Sequence, residues 1–233
     1  MAYLLPWLLS NILFTTTFPV DETPISQGGL WLKQTSEGGA SDHTGWHGMI
    51  TSGGNIKPRF NSGPTGGGPL AGEYDDCYAY LSGSWPTNLR AEATIYRGAG
   101  NKEIELLFRV SDQASPARVF AYECLFDLAV GSVEIARWNG APTDYTTFTI
   151  ASPGEYFDGD RVAVTITGTN PVIITCYRAP AADPTNWTQI AQHQDSDPTR
   201  LTTGAPGIGA FCRTNALNPS LDYGLKDYTL FQL

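Results

Sequence analysis

Two glutamates that alternate along a predicted strand, Glu103 and Glu105, are the residues with the most evident chemistry in this chain. Alternate residues of a β-strand face the same side, so these two carboxyl groups would lie together. Retaining hydrolysis of a glycosidic bond needs two carboxyl groups about 5–5.5 Å apart. Carboxylates on a strand are more often solvated charges on its outward face. We expect that arrangement here, and we predict no catalytic residue.

A second candidate is the pair His43 and His47, which flank Trp46 in the segment SDHTGWHG. Two histidines four residues apart bind zinc when a helix places them on one face. The glycines of this segment favour a loop instead, and no third ligand is evident beside it in the sequence. We interpret the segment as a polar surface loop and predict no metal site from it.

Sugar binding is the third chemistry to consider, because it requires flat aromatic faces and planar hydrogen-bond donors. Tyr96 and Arg109 fall on the outward faces of two predicted strands. Tyr122, Arg137 and Trp138 are further candidates from neighbouring strands. Burial in the core is the alternative for each of these aromatic side chains.

The charge of the chain narrows the class of partner. Its 23 acidic and 14 basic residues give a net charge of −9. Nucleic acids and anionic membranes attract clustered Lys and Arg, which the sequence lacks. We therefore predict neither nucleic-acid binding nor membrane insertion. Neutral glycans or other protein subunits are the expected partners.

The four cysteines, Cys77, Cys124, Cys176 and Cys212, form no C-x-x-C pair, which disfavours a zinc knuckle. Cys124 and Cys176 lie in the middle of apolar runs. We expect buried free thiols there, with a disulfide as the alternative.

The N-terminal segment MAYLLPWLLSNILFTTTF is apolar but differs from a secretory signal. No Lys or Arg precedes Lys33, Pro6 interrupts the apolar run, and no small-residue cleavage site follows. The run is also too short to span a bilayer. We predict that residues 1–17 form an ordered arm that docks on the domain or on a neighbouring subunit, a signal remnant being the alternative. Its candidate contact residues are Tyr3, Leu4, Leu5, Trp7, Leu8 and Leu9.

Strand patterns with turn residues between them recur along the rest of the chain. The predicted strands cover residues 25–34, 74–81, 89–97, 103–111, 117–128, 132–138, 146–150, 161–167 and 172–178, followed by strands in 204–211 and at the C terminus. Residues 35–72 are predicted as long loops, and Asn139-Gly140 as a tight turn. The pattern predicts an all-β fold, a two-sheet antiparallel jelly-roll sandwich that forms one domain over residues 18–233.

The succession of five motifs resembles a known family. These motifs are ELLFRVSD (105–112), VEIARWNG (133–140), GDRVAVTITG (159–168), GAPGIGAF (204–211) and GLKDYTLF (224–231). Their order and spacing are similar to those of the concanavalin A-like lectin/glucanase superfamily, specifically its laminin-G-like jelly rolls. Residues 18–31 resemble the opening strand of that fold, which would pair near the C-terminal strand.

The resemblance implies the fold more strongly than an activity, because this fold carries lectins, hydrolases, lyases and adhesion modules. The β-glucan hydrolases of this superfamily carry a Glu-x-Asp-x-x-Glu triplet. In this chain Glu103 and Glu105 would match the first two carboxylates, but Leu107 and Phe108 occupy the place of the third. No cofactor is expected, apart from the structural calcium ion that such jelly rolls often bind. Asp21, Glu22 and Asp227 are its candidate ligands if the terminal strands are neighbours.

Three functions follow from these patterns. The first is a non-catalytic glycan-recognition module, and the second is a virion component such as a decoration or fibre protein. The two are compatible, and we expect a non-enzymatic protein on a virion surface or elsewhere outside the cell. The third function, a glycan hydrolase or lyase with an unfamiliar site, is one alternative, and a secreted carbohydrate-binding module is the other.

Overall fold

Alternating apolar and polar residues fold into sixteen β-strands in the computed structural model, which describes residues 11–33, 45–59, 75–100, 102–114, 117–141, 144–211 and 220–233. The strands are β1 (Asn11–Thr16), β2 (Trp31–Leu32), β3 (Gly45–Ser52), β4 (Asn55–Pro58), β5 (Asp75–Leu81), β6 (Leu89–Arg97), β7 (Glu103–Ala114), β8 (Ala117–Asp127), β9 (Ser132–Gly140), β10 (Tyr145–Ala151), β11 (Arg161–Thr167), β12 (Val172–Ala179), β13 (Thr188–Asp195), β14 (Ala205–Phe211), β15 (Tyr223–Leu225) and β16 (Tyr228–Gln232). Within these ranges the chain forms no helix, and hence none suited to crossing a membrane.

The strands build two layers. Sheet I has the order β10-β9-β8-β7-β14-β5-β3, with β2 also beside β5. Sheet II has the order β13-β12-β11-β6-β16-β1. The short strands β4 and β15 connect β3 of sheet I to β6 of sheet II. The described pairs are antiparallel except β3 with β5, and this confirms the predicted two-sheet sandwich.

The two ends of the described chain lie side by side. Residues 11–16 form β1, which pairs antiparallel with the C-terminal strand β16. The sequence interpretation placed the opening strand later, in residues 18–31, and that placement is wrong. Of that segment only Trp31 and Leu32 form a strand, and they pair with β5 instead.

The core lies between the inner faces of the two sheets. Sheet I contributes side chains such as Leu106 and Phe108, and sheet II contributes Val164, Ile174 and Leu230, all fully buried. Burying a large apolar side chain stabilises the fold by roughly 1.5–3 kcal/mol. Alternate residues of β6, among them Ala91, Ala93 and Ile95, also belong to this core.

The described cysteines confirm the interpretation of buried thiols. Cys77, Cys124 and Cys176 are free and buried, and the latter two lie at the middle of β8 and β12. Cys212 lies outside the described residues.

Four strands differ from their prediction. Strands β3 and β4 lie in the segment predicted as loops. Trp46 and Met49 of β3 lie on opposite faces of the strand and are both buried, and a strand covered on both sides shows no simple alternation in its sequence. Strand β13 is missing from the predicted strands because its sequence is polar. It is an edge strand that pairs only with β12 among the described strands. Strand β9 continues through Gly140, and the chain reverses after it, where Asn139 N donates to Asp144 O.

Candidate functional site

The alternation of inward and outward side chains along strand β7 shifts at Arg109. This residue has φ +56°, a left-handed conformation, and the pairing with β8 shifts between Phe108 and Ser111. Gly204 on the facing loop makes this geometry possible, because a Cβ there would overlap the Arg109 main chain. A bulge moves the alternation by one residue. Asp112 consequently projects from the outer face of sheet I.

The bulge corrects the predicted facing of two residues. Continued alternation along β7 would place Val110 in the core with Leu106 and Phe108, but Val110 packs in an apolar cluster on the outer face of sheet I. Arg109, expected on the outward face, has only 3% of its surface exposed. The alternation of the sequence is therefore reliable up to Phe108, which is buried in the core, and misleading beyond it.

A groove with a volume of about 590 Å³ lies at the end of sheet I where the bulge occurs. It is bounded by the end of β5, the turn that follows it, the bulged part of β7 and the loop before β14. Its lining residues are Leu32, Tyr80, Leu81, Ser82, Gly83, Ser84, Trp85, Val110, Ser111, Asp112, Thr203, Gly204 and Ala205. We call this feature the β5–β7 groove.

Among the described residues that line the β5–β7 groove, Asp112 is the one that carries a charge. The Tyr80 hydroxyl donates to its Oδ1 at 2.9 Å, and the Tyr78 hydroxyl donates to its Oδ2 at 3.2 Å. Burial, followed by the hydrogen bond to Asp112 and its charge, raises the pKa of Tyr80 to about 12. Tyr80 therefore remains a hydrogen-bond donor at neutral pH.

Two aromatic side chains give the β5–β7 groove flat surfaces. The Tyr80 ring stacks on Tyr78 with centroids 6.3 Å apart and planes 7° apart. Trp85 in the turn after β5 is partly buried, and its Nε1 donates to the carbonyl oxygens of Leu81 and Ser82. Both rings are held in place before any ligand arrives, which lowers the entropic cost of binding.

An apolar cluster continues from the groove across the outer face of sheet I. Trp46, Tyr78 and Trp138 form its aromatic part, with Trp46 and Trp138 ring centroids 4.5 Å apart. Trp138 has 3% of its surface exposed, and its Nε1 donates to Glu123 Oε2 at 2.8 Å. This burial corrects the expectation that Trp138 presents its face to a ligand. His47, expected in a surface loop, is also buried, in β3.

Buried carboxyl groups lie beside this cluster, and the prediction that Glu105 is solvated is wrong. Glu105 is 1% exposed, and neither of its carboxyl oxygens has a hydrogen-bond partner among the described residues. Burial, and then the charges of Glu123 and Asp76, raise its pKa well above the ordinary value. Burial and Asp76 likewise raise the pKa of Glu123. Glu103 instead forms an ion pair with Lys102 at 2.7 Å.

Arg109 joins three loops instead of facing a ligand. One terminal nitrogen of its guanidinium donates to Leu201 O at 2.6 Å. The other donates to Thr87 O at 3.1 Å and to Gly168 O at 2.6 Å. These bonds offset the cost of its left-handed backbone, which is of order 1–3 kcal/mol. The side chain therefore fixes the loops at this end of the sandwich.

Two of the predicted sugar-binding residues do meet, but inside the protein. Tyr122 donates to Asp195 Oδ2 at 2.5 Å, and Arg137 donates to the same oxygen at 3.1 Å. Both side chains are buried, and they cross from sheet I to strand β13 of sheet II. Burial and Asp195 raise the pKa of Tyr122. This corrects the expectation that the two residues are presented to a glycan.

Tyr96 lies apart from the other four candidates, on β6. Its hydroxyl bonds Asp222 Oδ1 at 3.0 Å, and Lys57 Nζ lies 4.8 Å from the centre of its ring. It is not among the residues that line the β5–β7 groove. The five sequence candidates therefore do not form a common site.

The carboxylates proposed for calcium are each engaged by protein groups. Asp21 Oδ1 accepts a hydrogen bond from Gly53 N, and Glu22 Oε2 accepts two from backbone nitrogens. The carboxylate of Asp227 accepts hydrogen bonds from the backbone nitrogen and the hydroxyl of Thr94. In the described ranges no group of three or more His, Cys, Asp or Glu side chains is placed to hold a metal ion. The arm candidates Tyr3, Leu4, Leu5, Trp7, Leu8 and Leu9 lie outside those ranges, as does His43.

The sequence analysis missed the residues of the groove, among them Tyr80, Trp85 and Asp112. One signal was present: Tyr78 and Tyr80 alternate in DDCYAYL, so both had to share one face of β5. The position of Asp112 carried no such signal, since the bulge that turns it toward these tyrosines is a property of the fold.

Comparisons with known proteins identify the fold. No protein-family model and no curated protein matches the chain. The structure is similar to BuGH16Bwt, with TM-score 0.55, 8% identity, and coverage of 96% of this chain and 92% of the other. It is also similar to a β-1,3-1,4-glucanase (lichenase) from a mouse hindgut metagenome, with TM-score 0.51, 10% identity, and coverage of 94% of this chain and 99% of the other. A third similar structure is the CBM2 module of the evolved Dit of Lactobacillus casei BL23 phage J-1, with TM-score 0.50, 10% identity, and coverage of 96% of this chain and 97% of the other. The concanavalin A-like jelly roll is thereby confirmed.

Proposed function

We propose that this chain is a non-catalytic carbohydrate-binding jelly roll that is displayed on the surface of a virion and binds glycans in the β5–β7 groove. The observation that carries the proposal is the groove itself, in which aromatic rings flank a fixed carboxylate. Sugar rings present C–H groups to aromatic faces and hydroxyl groups to carboxylates and tyrosines. A CBM2 module and a β-1,3-1,4-glucanase among the structural neighbours support the same class of ligand.

The carboxylates support binding without hydrolysis. Glycosidases of the usual type place two carboxyl groups about 5–9.5 Å apart on either side of the bond. Asp112 is the single carboxylate among the described residues that line the groove. Glu105 and Glu123 are buried instead, at 1% and 8% exposure. We therefore assign no catalytic residue.

Glycan binding is tested with an array probed by the full chain and by two aromatic variants. Trp85→Ala removes a ring of the groove. We expect it to lose about tenfold or more in affinity, by analogy with the roughly 1–3 kcal/mol that a nucleobase gains by stacking on an aromatic side chain. Tyr96→Ala is the matched control, because Tyr96 does not line the groove, and it should bind like the wild type. Equal loss in both variants, or no glycan bound by the wild type, would contradict the proposal. Release of reducing sugar ends from a bound glycan would contradict its non-catalytic part.

The virion setting is supported by the N-terminal strand and by one structural neighbour. Strand β1 lies at the edge of sheet II, where 62% of Ile12 and 36% of Leu13 is exposed. The neighbour is a module of a phage protein. An exposed apolar edge strand suits docking on another subunit. We propose that residues 1–17 provide this contact.

Shortening the N terminus tests the docking role. The deletion has to end before Asn11, because β1 pairs with β16 and its removal would expose the core. We expect the full chain to assemble, and a variant lacking residues 2–9 to be a folded monomer, both measured by light scattering and thermal unfolding. A variant with residues 2–9 replaced by a Gly-Ser segment of equal length is the control for length. A monomeric full chain would contradict docking between copies of this chain.

A further inference from the structure

The described lining of the β5–β7 groove carries a negative charge. Asp112 lines it, and no Lys, Arg or His is among its described lining residues. The residue also takes part in none of the ion pairs between described side chains. Its negative charge is therefore not balanced by a neighbouring cation of the described protein, and a cationic ligand group would complement it.

The hydrogen bonds of Asp112 leave room for that group. Each carboxylate oxygen has two acceptor sites. Tyr80 and Tyr78 occupy one site on each oxygen, and both are hydroxyl donors that fix the orientation of the carboxylate. The remaining acceptor sites can take N–H donors, and an ammonium group makes shorter and stronger bonds to a carboxylate than a neutral donor does.

The rest of the lining suits a sugar rather than a simple amine. The rings of Tyr80 and Trp85 offer apolar faces, and the hydroxyls of Ser84, Ser111 and Thr203 offer donors and acceptors beside Asp112. A hexose with one amino group presents all three features at once: an apolar C–H face, hydroxyl groups and an ammonium ion. An N-acetylated sugar lacks the charge, and a uronate carries the opposite one.

We propose that the β5–β7 groove recognises glycans with free amino groups, and that Asp112 binds the ammonium ion. This inference rests on the proposed glycan binding and narrows it to one class of sugar. The acidic net charge of −9 acts in the same direction, since it repels glycans with sulfate or uronate groups.

Calorimetric titration of the full chain with three hexasaccharides tests the proposal. The probes are the β-1,4-linked hexamer of glucosamine, its fully N-acetylated form, and a hexamer of β-1,3-linked glucose. We expect the glucosamine hexamer to bind about tenfold or more tightly than the other two, the size of one charge-assisted hydrogen bond. This preference is measured on the wild type and so does not depend on the folding of any variant.

Substitution of Asp112 separates specific recognition from general attraction of a cation. Asp112→Asn should reduce the affinity for the glucosamine hexamer about tenfold and leave the affinities for the two neutral hexamers within about twofold. Asp183→Asn removes the same charge from an exposed turn outside the groove, and should leave all three affinities unchanged. Thermal unfolding confirms that both variants are folded.

The outcomes distinguish this inference from the proposal on which it rests. Equal affinity for the three hexamers would overturn the amino-sugar preference and leave glycan binding in place. A preference that Asp183→Asn weakens as much as Asp112→Asn would show attraction by net charge alone, and would also overturn it. Failure of the wild type to bind any glycan on the array would overturn the proposed function.

Discussion

The Glu105→Gln variant tests whether the buried acid of sheet I is neutral in the folded protein. Glu105 is 1% exposed, with no hydrogen-bond partner for its carboxyl oxygens among the described residues. Burial, then Glu123, Asp76 and Glu103, raise its pKa well above 4.5. Charging an unpaired buried carboxyl costs several kcal/mol, whereas a whole domain is stable by about 5–15 kcal/mol. We therefore expect Glu105 to keep its proton in the folded protein well above pH 4.5.

The effect on stability follows from counting protons. Above the ordinary pKa of 4.5, the unfolded chain has lost the Glu105 proton while the folded protein keeps it. The folded state then binds one more proton, so the free energy of unfolding falls as pH rises, by about 1.4 kcal/mol per pH unit for one group. This fall ends when pH passes the raised pKa of the folded state. Below pH 4.5 both states hold the proton, and the contribution is constant.

Urea unfolding at several pH values between 4 and 9 measures this slope. Glutamine has no proton to lose, so Glu105→Gln should resemble the wild type near pH 4 and become the more stable protein as pH rises, by roughly 1.4 kcal/mol for each pH unit below the folded-state pKa. Glu155→Gln is the control, because the side chain of Glu155 is 55% exposed, and it should keep the wild-type slope. Parallel pH profiles for the wild type and Glu105→Gln would refute the reasoning.

Two further substitutions test the packing around the site. Gly209→Ala should destabilise the protein by about 1–3 kcal/mol in urea unfolding, because the added Cβ would overlap Glu105 Oε2. The cost should shrink in a Glu105→Ala background, and an unchanged cost would show that the backbone of Cys77 is the obstacle instead. Arg109→Ala should cost about 3 kcal/mol or more, since it leaves three carbonyl oxygens without their charged donor, at roughly 1–3 kcal/mol for each unsatisfied buried group. A loss below 1 kcal/mol, close to that of an ordinary surface substitution, would contradict its role in joining the loops.

Much of the fold could be predicted from alternation in the sequence. Strands such as β6 and β11 have one apolar face and end at turn residues, so their existence and their inward faces follow from a period of two. Strands β3 and β13 could not be predicted in the same way. Trp46 and His47 are neighbours in β3 and both buried, so β3 has no polar face, whereas β13 is a polar edge strand that depends on its partner β12.

The site was predicted less well than the fold, for a reason that concerns Arg109. Alternation assigns Arg109 to the outer face, and an exposed arginine beside tyrosines is a reasonable sugar ligand. The left-handed backbone at Arg109 and the space above Gly204 are tertiary features, and together they turn this side chain inward. The same shift brings Asp112 to the outside, where the residue pattern gave no reason to expect it.

The bulge thus links the stability of the sandwich to the chemistry of the groove. Three loop carbonyls hold Arg109, and this holds the backbone in the one conformation that places Asp112 beside Tyr78 and Tyr80. The middle of the same sheet face is filled by buried aromatic rings and carboxyl groups, which leaves the end of the face for a ligand. A substitution that relaxes the bulge should therefore weaken glycan binding even when every lining residue of the groove is retained.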